Sequence, residues 1–284
     1  MTFSTKRKLL NALRYLTLGL VAMMMLYPLL WLVVGMFRPN HEIFTSAGLI
    51  PQNPYNVFDS IREGWMAGGH SLLFYFWNTL QFLIPRVIGQ VVSSVLTAYA
   101  LTRFTFKGKK FFFTLVIITL LMPEVIFRIP MFQLYQRFDL VDTFFPLWLE
   151  NAFATGSFFT FMLIQFMRGI PKELDEAAKI DGCHSFQTLV LILVPVMKPA
   201  IITVGLLTFM WGMNDFLGPQ IYLRSASNWS LQQALRLGLQ PADTAIVWRN
   251  LFAQSVMALL PAIIIFFAMQ RYFIDGIAST GSKE

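Results

Sequence analysis

Long apolar runs separated by short polar intervals set the pattern of the chain. Roughly 20 apolar residues in a helix cross a bilayer core. The runs therefore predict six transmembrane helices over about 16–37, 74–101, 111–127, 144–166, 200–217 and 250–270. Inside lipid every backbone polar group must find its partner within the segment, which selects the helix for such runs. The fold class is accordingly all-α, a polytopic membrane protein read as a single domain over 1–284. The first run is too long for a signal peptide and lacks a small-x-small cleavage pattern before Arg38, so it is expected to stay uncleaved. The second exceeds one straight crossing, which predicts tilt or an extension beyond the membrane. The interval Arg38–Leu73 carries the breakers Pro39-Asn40, Pro51, Asn53-Pro54 and Gly68-Gly69. Gly218–Arg249 is rich in Gln, Ser and Asn.

One interval differs from the rest. Between Pro171 and Pro199, the residues Glu173, Asp175, Glu176, Lys179 and Asp181 crowd together in a charge-poor chain. Glu173 to Ile180 are good or tolerable helix formers, Pro171 is a start signal, and acids in the first turn suit the helix dipole. Asp181-Gly182 can end this helix, because Gly accepts the left-handed conformation of a C-terminal cap. A second helical run begins near Ser185 and turns apolar towards Pro195. The spacing predicts a helical hairpin, 171–199, on one membrane face.

Composition agrees with a membrane location. The chain is 56% hydrophobic and 13% charged, about half the usual charge of a soluble domain. Its net charge of +7 reads as orientation, not as a nucleic-acid footprint. With alternate intervals assigned inside, the inner segments hold 14 of the 22 Lys and Arg and the longer outer segments hold seven. The positive-inside rule then puts both termini and the hairpin in the cytoplasm. The single cysteine, Cys183, excludes an intramolecular disulfide.

Catalytic patterns are missing from the sequence. His41, His70 and His184 are widely separated and none belongs to a zinc motif. Gly108-Lys109 lacks the upstream Gly and the following Ser or Thr of a phosphate-binding loop. No catalytic residue, metal site or bound cofactor is expected, and transport against a gradient needs an ion gradient or another subunit. An ion-coupled carrier places ionisable groups within its spans. Here only Arg86 is expected to lie deep, with Glu124, Glu150 and Asp215 near the outer ends. Asn78, Gln81, Gln165, Asn214 and Asp215 are polar groups that need a cavity or a partner helix. Trp211 lies one turn from the last two.

Glu176-Ala177-Ala178, Asp181-Gly182, Phe186, Pro195 and Pro199 together resemble the EAA loop of ABC importer permeases. The likeness spans nearly the whole chain and is greatest to the carbohydrate branch, the maltose-importer type. Its marks are Asn78-Thr79-Leu80, Ala98-Tyr99-Ala100-Leu101 with Arg103 and Phe104, Met122-Pro123, Ile129-Pro130, and Trp211, Asn214, Asp215 and Phe216. Gln270-Arg271-Tyr272-Phe273, Gly276 and Lys283 follow the family's ending, whereas Thr280, Gly281 and Glu284 depart from it. The resemblance implies a permease of the bacterial or archaeal inner membrane that moves a carbohydrate by alternating access. It implies a second permease subunit, two ATPase subunits that bind ATP and Mg, and an extracytoplasmic solute-binding protein. Glu173, Glu176, Ala177, Ala178, Asp181 and Gly182 would dock on the ATPase. Asn78, Gln81, Trp211, Asn214 and Asp215 are the candidates for the substrate path. A non-sugar importer of the same architecture and an ion-coupled carrier remain the alternatives.

Overall fold

The computed structural model describes residues 3–45, 48–66, 69–237, 239 and 246–281. Gly68 of the last breaker, and Lys283 and Glu284 of the closing pattern, lie outside these residues. The described elements are helical throughout, with no strand among them. In chain order they are α1 (Phe3–Gly35), α2 (Val57–Trp65), α3 (Leu72–Arg103), α4 (Lys109–Leu121), α5 (Val125–Arg137), α6 (Phe145–Trp148) and α7 (Ser157–Arg168). There follow α8 (Glu173–Ile180), α9 (Ser185–Gln187), α10 (Val194–Val196), α11 (Lys198–Met213), α12 (Leu217–Tyr222), α13 (Leu231–Leu237) and α14 (Trp248–Gly281). A π-helical stretch, Thr188–Leu193, joins α9 to α10.

Leu10–Gly35, Leu72–Arg103, Phe145–Arg168 and Trp248–Arg271 are long and apolar enough to cross a membrane. Lys109–Leu121 with Val125–Arg137, and Ser185–Val196 with Lys198–Met213, qualify as bent pairs and bring the number to as many as six. The bends are 106° and 78°. All six apolar runs are helical, but they are less continuous than the sequence pattern suggests. Met122 precedes Pro123 and is extended, at φ −84° and ψ 132°, because the proline ring disfavours the helical region for the residue before it. That ends α4. The fourth run is interrupted by a 3₁₀ turn, Glu150–Phe153, and by Ala154 at φ 59°, before α7 starts at Ser157.

The chain forms two compact units. The first comprises Met1–Leu72 and Ala234–Leu259. Its core gathers Met36, Ile43, Phe252 and Ala253, with Trp31 edge-on to Phe252 at 5.2 Å and Phe44 edge-on to Trp248 at 4.9 Å. Asn40 ties the start of α14 into this unit, donating to the Ile246 carbonyl (2.9 Å) and accepting from the Trp248 amide (2.7 Å).

The second unit, Leu73–Gln233 and Leu260–Glu284, holds the features of functional interest. Its core packs Ala98, Tyr99 and Leu101 of α3 with Leu163, Ile164 and Met167 of α7, Leu189 and Leu193 of the π-helical stretch, and Met197 and Val204 beyond it. A polar seam runs beside this core. Gln90 donates to the Ser94 hydroxyl (2.6 Å) and accepts from Asn151 (2.9 Å), while Ser94 and Thr160 share a hydrogen bond of 3.0 Å. Polar groups paired between helices in this way need no water. Gly156 is glycine because a Cβ there would strike the Gln90 side chain.

Candidate functional site

Helix α8 is held on one face and open on the other. Ala178 is only 1% exposed, and Asp175, one turn before it, pairs with Arg103 of α3 at 3.0 Å. Glu173, Glu176, Ala177, Asp181 and Gly182 are exposed. The helix ends as its last residues dictate. The Gly182 amide donates to the Lys179 carbonyl (3.1 Å) and the Cys183 amide to the Ala178 carbonyl (2.9 Å), a Schellman closure with Gly182 at φ +83°. The next helix starts with a reciprocal cap. The His184 ring nitrogen accepts from the Gln187 amide (3.3 Å) and the Gln187 side chain accepts from the His184 amide (3.0 Å). Ile180 and Phe186 project from either side of the turn, both largely exposed.

A cavity of about 420 Å³ opens elsewhere in the same unit. Charged groups stand out in its lining, namely Arg86, Glu124, Arg128, Glu150 and Asp215, beside Asn151 and the rings of Phe127, Phe158 and Tyr222. Arg86 pairs with Asp215 at 3.0 Å, and Asp215 also accepts from the Gly218 amide (3.0 Å). Tyr135 donates to Glu150 at 3.1 Å. These groups can orient a hydroxyl-rich ligand by hydrogen bonds and rings without covalent chemistry.

The substrate-path candidates do not converge on that cavity. Asp215 lines it. Asn78 is 4% exposed and donates to the Ser227 (2.8 Å) and Trp229 (3.0 Å) carbonyls, so it anchors the segment after α12. Gln81 donates to Asn78 (3.3 Å), and Asn214 turns back to the Met210 carbonyl (2.8 Å) at the end of its own helix. Trp211 lies against Phe159 at 4.9 Å and Phe158 at 5.6 Å. Sequence reasoning singled out Arg86 and Asp215 separately but not their pairing, and did not foresee Glu150 and Arg128 as cavity groups. Among the described residues, no cluster of three or more His, Cys, Asp or Glu could hold a metal ion.

Asp142, in the turn after α5, organises the segment after α12 as well. It accepts from the Arg224 and Ser225 amides (both 2.9 Å), from the Ser225 hydroxyl and from Asn228. Burial pushes its carboxyl up, but the hydrogen bonds from Ser225, Arg224 and Asn228 outweigh this and hold it below the usual range.

Known proteins share this arrangement of helices. Residues 90–279 match the family described as binding-protein-dependent transport system inner membrane component. The chain is 34% identical over 98% of its length to the arabinooligosaccharides transport system permease protein AraQ of Halalkalibacterium halodurans, covering 99% of that protein. It is 29% identical to the galactooligosaccharides transport system permease protein GanQ of Bacillus subtilis, over 95% of this chain and 94% of that one. It is 27% identical to the sn-glycerol-3-phosphate transport system permease protein UgpE of Pectobacterium atrosepticum, over 93% and 94%. A crystal structure of a bacterial ABC transporter involved in the import of the acidic polysaccharide alginate has the same fold, with a TM-score of 0.80 at 20% identity over 96% of this chain and 99% of that one. The chain shares that fold, with four to six of its described helices or helix pairs long and apolar enough to cross a membrane. The chain belongs to the binding-protein-dependent transport system inner membrane components.

Proposed function

We propose that the chain is one permease subunit of an ABC importer for a carbohydrate or related polyol, powered by ATPase subunits through the 171–199 hairpin. The observation that carries this reading is the two-faced helix α8. Its inward face is fixed by Ala178 and Asp175, while Glu173, Glu176, Ala177, Asp181 and Gly182 are exposed. A small rigid element of this kind can carry rigid-body motion into the spans to which it is tied. Glu176 would pair with a basic group in the ATPase cleft. Closure of the ATPase pair on ATP would bring two such hairpins together and open the spans outward, and hydrolysis would return them. A similar second permease supplies the other half of the path.

The sugar assignment draws on the names of relatives that carry arabino- and galactooligosaccharides. The charged, ring-lined cavity around Arg86 and Asp215 is compatible with a hydroxyl-rich ligand, and Asn78, Gln81, Trp211 and Asn214 support the helices around the path. A solute-binding protein would deliver substrate over the segments following α1 and α12. Six spans with both termini in the cytoplasm complete the topology, supported by the distribution of Lys and Arg. Placing a cysteine at Glu176 in the assembled transporter tests the central contact. Cross-linking to the ATPase subunit is expected, whereas labelling of that cysteine from the extracytoplasmic side would overturn the reading.

A further inference from the structure

We propose that Arg103 is a positioning residue, latched to Asp175, that delivers the motion of α8 to α3 and along it to the cavity at Arg86. This rests on reading α8 as the ATPase-contacting helix. The Arg103 and Asp175 side chains are 7% and 14% exposed, with the guanidinium Nε 3.0 Å from the carboxylate. Arg103 also donates through Nη2 to the Ile170 carbonyl (3.0 Å), on the link that enters α8. Tyr99, one turn earlier on α3, donates to the Ser185 carbonyl (2.8 Å), on the arm that leaves it. One end of α3 therefore grips the hairpin at its entry, its helix and its exit. Neighbouring Thr102 donates to the Met167 sulfur (2.9 Å), fixing the same turn to α7.

The choice of acid follows from helix geometry. Positions 173 and 176 share one exposed face, while 175 and 178 share the inward one, since residues three apart lie on the same side. Asp175 is thus the acid of α8 left for an intramolecular partner. Lys109, Arg168 and Lys172 line the cleft into which Arg103 faces, together with Glu173. An Arg103 deprived of Asp175 would be held among like charges, so the pair defines one seating of α8 on α3. Seventeen residues separate Arg103 from Arg86, about 26 Å at the helical rise. Rotation of the hairpin can reach the cavity along a single helix.

The test uses the whole transporter in proteoliposomes and reads sugar imported per ATP hydrolysed, with basal ATPase activity and subunit co-purification measured alongside. Arg103→Gln and Asp175→Asn are each expected to lower that ratio about tenfold, within the usual range of coupling effects, while basal ATPase activity and assembly persist. The exchange Arg103→Asp with Asp175→Arg is expected to restore most of it. A wild-type ratio in the single variants overturns the latch. So does an exchange that restores neither assembly nor the ratio, because complementary charge is then not the cause; this arm decides the matter if the single variants fail to assemble. The Glu176 cysteine separates the two ideas. Cross-linking with an unchanged ratio removes the latch alone, whereas loss of cross-linking in the wild-type background removes the coupling reading itself.

Discussion

Gly182 shows how far one residue can be read. Its φ of +83° is a conformation that L side chains adopt at a cost of about 1–2 kcal/mol, and nothing lies within 4 Å of where a Cβ would be. A substitution there is therefore penalised through the backbone, and a bulky side chain would project from the exposed tip. Gly182→Trp is expected to insert normally and to lose most binding-protein-stimulated ATPase activity and uptake. Wild-type values for both in a variant present at normal membrane levels would show that the tip makes no essential contact. This glycine was legible because a turn dipeptide after a short helix has few structural outcomes. Asn78 was not. Its type and place in an apolar run fitted a substrate path, but its two carbonyl partners lie about 150 residues onward, and no local pattern encodes them.

At the scale of elements, the apolar runs foretold the helices but not their breaks. Pro123 ends α4, and the extended Met122 before it follows from sterics. The interruption ahead of α7 has a tertiary origin: Gln90 fills the space beside Gly156 and takes a hydrogen bond from Asn151. The ion pair of Arg86 with Asp215 was hidden for the same reason, since its members come from separate helical regions 129 positions apart. Asp142 offers a test at this scale. Its native pKa lies below the unfolded value, so its contribution to stability is present above the unfolded pKa and is lost as pH falls through the native one. Amides 224 and 225 should lose protection from exchange, after correction for intrinsic rates, as pH falls below the ordinary Asp range. Asp142→Asn should lower that protection at neutral pH and flatten its pH dependence. A wild-type profile in the variant would show that the carboxylate does not hold the segment.

For the whole molecule, composition and charge distribution disclosed the membrane class, and the EAA-like loop disclosed the family. On the proposed reading, the hairpin is the element through which an ATPase in trans would drive the spans. What the sequence leaves open is the ligand; the charged groups of the cavity are brought together by packing and not by spacing. The most direct measurement is uptake of labelled mono- and oligosaccharides into proteoliposomes containing this chain, alone or with its second permease, ATPase subunits and binding protein. A permease driven in trans gives uptake of at least one sugar only in the complete system, with ATP and loaded binding protein present. Ion-gradient-driven uptake by the chain alone would contradict it.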